Sequence, residues 1–272
     1  MALAEQSSAA SVALEPERAS TLRMPGMTVW RLASIALFCG LWEIAGRIPI
    51  NPAFPPFSST FVAFLQMIGD GSLPVAYFIT LQPLVVGVVI SATLGVSLGV
   101  LIGLRRSAEW LIAPIFIVLQ AAPVAALIPL VTFVYGIGLT AKTMAVCLLA
   151  LPVIVLNSYK AIRHVNPSLV AMCRSFLGTR QQQIVKIMLP DAAPLIFAGL
   201  RLGISAGFIG VILAELLITP TGIGDLITFH RSTASYPEMY ASIASIVVFS
   251  AMTLAVLQWV EVRLFRPEKR GV

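Results

Sequence analysis

The chain has 272 residues, of which 58% are hydrophobic and 11% charged, and a net charge of +6; its mean hydropathy is +0.94. A soluble domain carries roughly 25% charged residues, and a globular body this apolar would expose adhesive surface to water. An ordinary soluble enzyme is excluded, and the composition is that of an integral membrane protein.

Residues 1–28 are rich in Ala, Ser and Glu without apolar periodicity, and are expected to form a disordered tail. The first apolar run follows Arg31, contains Glu43 and ends in Arg47 rather than a small-residue cleavage site, so it reads as a retained helix at about 29–46. The proline-rich stretch 51–57 predicts a rigid extended turn. After it, Phe61, Phe64, Leu65 and Ile68 recur at helical spacing, predicting a short amphipathic helix at the outer interface.

Four stretches then lack any Asp, Glu, Lys, Arg or His: 71–104, 110–141, 143–159 and 239–260. Crossing the hydrocarbon takes about 20 helical residues, so the expectation is six spans at about 29–46, 81–104, 112–135, 142–160, 194–218 and 240–262. The fold class expected is all-α, a six-helix domain over 29–262 followed by a basic tail at 263–272. Long runs that are apolar all round argue against alternating barrel strands. With the N-terminus cytoplasmic, the inner regions hold fourteen Lys and Arg against three outside, Arg47, Lys142 and Arg231. That bias predicts both termini in the cytoplasm, and it accounts for the basic charge without a nucleic-acid partner.

The second span carries small residues at every fourth position, Gly87, Ser91, Gly95, Gly99 and Gly103; the fifth does the same with Gly199, Gly203 and Gly207. In lipid such faces let backbones approach closely, and packing within the chain, a pathway lining and a dimer seam are all compatible with them. Prolines at 114, 123, 129 and 152 interrupt the third and fourth spans. Two charges lie inside the fifth span, Arg201 and Glu215, separated by about 21 Å along the axis and too far to pair with each other. Each needs a partner or a route to water. Arg201 can snorkel toward the cytoplasm, Glu215 can meet solvent or another helix, and both are candidates for a pathway. Cys39, Cys147, Cys173, His164 and His230 form no spaced cluster, so neither a metal site nor a disulfide framework is expected. No catalytic constellation is visible.

Residues 161–190 form a cytoplasmic connection too long for a simple turn. Asn166 followed by Pro167 predicts a helix start, and Leu169, Cys173, Phe176 and Leu177 form one apolar stripe. Gly178 is expected to take the left-handed conformation that ends this helix. Thr179 with Gln182 is a capping-box pattern opening a second helix from Arg180 to Leu189, which Pro190 closes. The stripe can be buried against the chain's own bundle or against a soluble partner, with Arg174 and Arg180 as rim charges.

These residues resemble the EAA loop of ABC importer permeases, the inner-membrane components of binding-protein-dependent transport systems. Anchored on Ile187, Leu189 and Pro190, that pattern places Ala171, Met172 and Cys173 at its Glu-Ala-Ala positions and its glycine at Leu177, with Gly178 one position later. The likeness covers roughly 81–262, including the Ala198 to Gly203 and Gly210 to Leu216 segments. Tyr135 to Gly138 and Thr221 to Gly224 favour the nitrate, sulfonate and taurine branch. The resemblance implies a homodimer in the bacterial inner membrane, two cytoplasmic ATPase subunits docked on the loops, and a periplasmic binding protein. It implies no cofactor on this chain, with ATP and Mg used by the ATPase. The chain contains no Gly-Lys pair, and hence no P-loop to cradle ATP phosphates. An ion-coupled secondary transporter is the competing class, but neither inverted repeat nor paired intramembrane acids is legible. Substrates other than these anions, such as an aromatic acid or a vitamin precursor, stay open.

Overall fold

The computed structural model describes residues 27–48, 53–218 and 220–265, and among them the regular elements are helical. They are α1 (Met27–Arg47), α2 (Phe57–Gly69), α3 (Ser72–Leu104), α4 (Arg106–Ala121), α5 (Val124–Tyr135), α6 (Leu139–Arg163), α7 (Pro167–Ser175), α8 (Arg180–Gln182), α9 (Leu189–Leu217), α10 (Ile223–Ser232) and α11 (Tyr236–Phe265). The predicted tail up to residue 26, Asn51 and Pro52 of the proline-rich turn, and the basic tail from 266 lie outside the described residues.

Among the described residues, four uninterrupted helices are long and apolar enough to cross a membrane: Ser72–Leu104, Leu139–Arg163, Arg180–Leu217 and Tyr236–Arg263. The predicted third span is not one helix, because α4 and α5 meet at a bend of 101°. Ala122 is extended, with ψ 143°, as the residue before a proline prefers, and Pro123 supplies no N–H to continue the ladder. A count of six is reached only by taking this bent pair as one span and adding the 21-residue α1.

Helix α3 is 33 residues long, about 50 Å, and begins well before the predicted start because its first turns need not lie in hydrocarbon. The second helix of the long connection does not stop at Pro190. A π-helical turn at Gln183–Met188 links α8 to α9, and the widened ladder accommodates the missing proline donor. The result is one 38-residue rod from Arg180 to Leu217.

Helix α6 is the axis of the bundle, with α3 on one side and α9 on the other. The α3 glycines face it: a Cβ at Gly95 would lie 2.8 Å from Ile154 Cγ2, and one at Gly99 2.5 Å from Ser158 Cβ and 2.6 Å from the Val155 carbonyl. From α9, a Cβ at Gly203 would lie 2.3 Å from Ile154 Cγ1 and one at Gly199 2.6 Å from Asn157 Cβ. Gly87 and Gly103 approach Val146 and Ile162 as closely, Gly207 is looser, and Ser91 is fully buried in the same row. Isoleucine and valine of α6 thus sit in notches cut by missing side chains, the close-packed arrangement that holds helices together without a hydrophobic force between them. Gly99→Leu should therefore cost about 1–3 kcal/mol through overpacking, seen as a lowered unfolding temperature of the detergent-purified chain. Gly40→Leu, where a Cβ meets nothing within 4 Å, is the matched control. Equal behaviour of the two variants would contradict the packing.

Helix α1 stands at the edge of the bundle. Trp42 ties it on, donating from its indole to the Pro55 carbonyl at 3.1 Å and meeting the rings of Phe54, Phe57 and Tyr240.

Candidate functional site

At the α10 end of the bundle, four elements converge on two buried charges. Lys142 lies in the first turn of α6 and Glu215 near the end of α9; each is 3% exposed. Their side chains pair at 2.8 Å. The ammonium also donates to the Thr221 carbonyl and hydroxyl, both at 2.9 Å, so its three donors are used. The carboxylate accepts further bonds from the Thr80 hydroxyl at 2.9 Å and the Gly224 amide at 3.0 Å. Thr80, from α3, in turn accepts from the Ile223 amide at 3.0 Å.

The turn between α9 and α10 is shaped for this. Gly222 has φ +94°, and a Cβ there would lie 2.2 Å from Glu215 Oε1, so glycine is required both by conformation and by space. A Cβ at Gly224 would lie 2.4 Å from Glu215 Cβ. The cluster is a saturated polar staple across α3, α6, α9 and α10. Glu215 thus meets another helix rather than solvent, and Lys142 is buried instead of standing in an outer loop.

The other intramembrane charge is also paired. Arg201 meets Glu261 of α11 at 3.2 Å, the side chains being 28% and 7% exposed. Thr80, Lys142, Thr221 and Glu261 were not singled out as site residues in the sequence. The available signal was depth, since Lys142 and Glu215 occupy the same end of adjacent antiparallel spans.

At the opposite end, the long connection folds into the predicted helix–turn–helix. The Asn166 side chain caps α7, accepting from the Ser168 amide at 2.9 Å, while its own amide donates to Asp191 at 3.1 Å and ties the start of α7 to α9. Thr179 and Gln182 exchange the two capping-box bonds, at 3.3 and 2.9 Å. The left-handed residue is Leu177, with φ +57°, not Gly178. Helix α7 ends at Ser175, so Leu177 is the second residue past it, where a Schellman turn needs positive φ. The bonds of that turn are present, Leu177 N–H to the Arg174 carbonyl and Gly178 N–H to that of Cys173, both at 2.9 Å. Gly178 is demanded by space instead: a Cβ would lie 2.4 Å from Cys173 Sγ and 2.8 Å from the Cys173 carbonyl. The position assigned to the family glycine by resemblance is therefore the one with positive φ, here occupied by leucine.

The apolar stripe is divided. Leu169 and Cys173 are half-buried, whereas Phe176 and Leu177 are 80% and 92% exposed, so the stripe is not one buried face. The loop's contact with its own bundle runs through Val170, Met188 and the half-buried Leu189, packed on Ala161, Ile162, Val165 and Ala192. Arg174 and Arg180 are exposed beside the tip, and Pro190 is exposed in the first turn of α9.

A model of the family described as binding-protein-dependent transport system inner membrane component matches residues 91–266, more than half of the chain. A permease of Bacillus subtilis, SsuC, whose name assigns it to aliphatic sulfonates transport, is 26% identical over 85% of this chain and 84% of its own length. The riboflavin transport system permease RibX of Chloroflexus aurantiacus is 30% identical over 56% of each chain. The taurine transport system permease TauC of Escherichia coli is 24% identical over 77% of this chain and 78% of its own. Among solved structures, an amino acid ABC transporter superposes with a TM-score of 0.60 at 18% identity, over 74% of this chain and 98% of that one.

Proposed function

The chain belongs to the family of binding-protein-dependent transport system inner membrane components, and from that premise we propose how this ABC importer permease works. The chain is the membrane subunit of an importer and not its ATPase. Two copies enclose a translocation pathway, each receiving a cytoplasmic ATPase subunit on its 161–190 loop, while a periplasmic binding protein delivers the solute at the α10 end. ATP and Mg act on the ATPase chains. Both termini face the cytoplasm of a bacterial inner membrane.

One observation carries this reading. Phe176 and Leu177 are apolar side chains held almost fully exposed on a turn fixed by two caps, outside the spans. An exposed apolar pair on a rigid tip is what an anchor for a separate protein requires. The rod from Arg180 to Leu217 then connects that anchor to Arg201 and, at its far end, to the Glu215 staple. Movement of the tip is delivered to both ends of the bundle without a flexible joint.

The solute proposed is a small anion of the nitrate, sulfonate or taurine type, a reading supported by the names of SsuC and TauC. A second reading, a larger organic solute such as a flavin-type vitamin, is favoured by RibX. Ligand-stimulated ATP hydrolysis with the cognate binding protein, tested with taurine, nitrate, an alkanesulfonate and riboflavin, decides between them.

Orientation has its own test. With Cys39, Cys147 and Cys173 replaced, an Arg180→Cys chain in intact cells should resist a membrane-impermeant maleimide and label only after permeabilisation. Labelling in intact cells would reverse the topology.

A further inference from the structure

At the α7 end of the bundle, α4 and α6 leave a pocket of about 530 Å³ between them. Its rim is basic and its floor apolar. Arg106 and Arg163 stand at the mouth, and Trp110, Ala113, Pro114 and Ile117 line it below. Arg163 is committed to Glu109, which also accepts from the Tyr159 hydroxyl. Among the described residues Arg106 makes no ion pair. Two arginines, Arg106 and Arg163, share the pocket lining with the single carboxylate of Glu109, so the site has cationic charge in excess. Arg106, Trp110 and Ile117 recur at helical spacing on one face of α4, and Trp110 is 75% and Ile117 56% exposed. They form an apolar track descending about 16 Å from the arginine.

We propose that this pocket binds an anionic phospholipid, its phosphate held by Arg106 and its acyl chain lying along Trp110 and Ile117. Arginine matches a phosphodiester through paired N–H donors, and tryptophan belongs at the depth where headgroup meets chain. A zwitterionic headgroup would bring a second cation into a cluster that already has too many. Phosphatidylglycerol or cardiolipin supplies charge without that penalty. The site lies where α4 meets α6 beside the start of the 161–190 loop, so an occupant would brace the base of that loop. Assignment to the cytoplasmic leaflet rests on the orientation proposed above.

The test uses the full-length chain purified from phosphatidylcholine nanodiscs with and without phosphatidylglycerol, with bound lipid counted by native mass spectrometry. The wild type should retain phosphatidylglycerol in preference to phosphatidylcholine. Arg106→Gln should weaken that preference about ten-fold, the loss of one charge-assisted contact, with Arg106→Lys between the two. Unchanged preference in Arg106→Gln overturns the proposal. So does displacement of the lipid by millimolar inorganic phosphate, which would make this a free-anion site. A change in oligomeric state in Arg106→Gln with lipid retention intact also overturns it, marking a subunit seam. Labelling of Arg180→Cys from outside would instead move the site to the other leaflet and leave the lipid preference standing, so the two readings fail separately.

Discussion

Lys142→Met, made alone, should be the most damaging single change in the bundle, costing about 3–5 kcal/mol. The substitution leaves the Glu215 carboxyl, 3% exposed, without its cation and with only the Thr80 hydroxyl and the Gly224 amide as partners. It also leaves the Thr221 carbonyl without the ammonium. Removing both charges, as Lys142→Met with Glu215→Gln, should recover much of the loss, because a neutral amide can still accept from Gly224 and bond to Thr80. The double-mutant cycle in thermal denaturation should give a coupling of about 1–3 kcal/mol. A single-variant loss near 0.5 kcal/mol, the size of an ordinary surface change, would mean that water reaches the pair and that it does not staple the α10 end. Gly222→Ala probes the same cluster from the turn, combining strain at φ +94° with a collision against the carboxylate.

Phe176→Asp should have the largest functional effect. A hot-spot aromatic contributes 2 kcal/mol or more to an interface, so the ATPase subunit should be held roughly 30-fold more weakly by the same arithmetic. The side chain is 80% exposed in the subunit, so the six predicted spans and capture of solute by the binding protein should be untouched. Gly178→Val should act on the same contact through shape, since its Cβ would collide with Cys173 and tilt α7 against α8. Reversal of the rim charge at Arg180 should be mild, within about 1 kcal/mol. Leu177→Gly separates the two roles of that residue: it removes about 1–2 kcal/mol of left-handed strain and the exposed side chain together. A loop that becomes more stable yet binds the ATPase less would show that leucine is kept at this position for contact.

The features that were legible are those written in consecutive residues. Asn166 with Pro167 and Thr179 with Gln182 gave both helix starts, because capping bonds span two or three positions. The end of α7 was misplaced by a small margin with a large consequence: termination at Ser175 moves the left-handed residue from Gly178 to Leu177. Helix ends are set by a balance of local bonds that a sequence does not resolve to one residue. Pro123 announced an interruption, but a 101° bend depends on what the two halves pack against. The glycine rows were visible, while their common target, α6, was not. The pairings of Lys142 with Glu215 and of Arg201 with Glu261 join positions 73 and 60 residues apart in the chain, beyond the reach of any local period. Glu215 is a pathway candidate from sequence alone, and what the sequence does not show is its set of partners, the Lys142 ammonium, the Thr80 hydroxyl and the Gly224 amide.

The proposed route of energy into this chain is the 161–190 loop, and uptake into proteoliposomes tests it most directly. Vesicles holding the permease, its ATPase subunits and the cognate binding protein would be given labelled taurine, nitrate, alkanesulfonate or riboflavin. Uptake of at least one should require ATP, persist with a protonophore present, and be lost in Phe176→Asp vesicles whose permease content is unchanged. Uptake that survives without ATP and collapses with the protonophore would contradict the account and point to ion coupling.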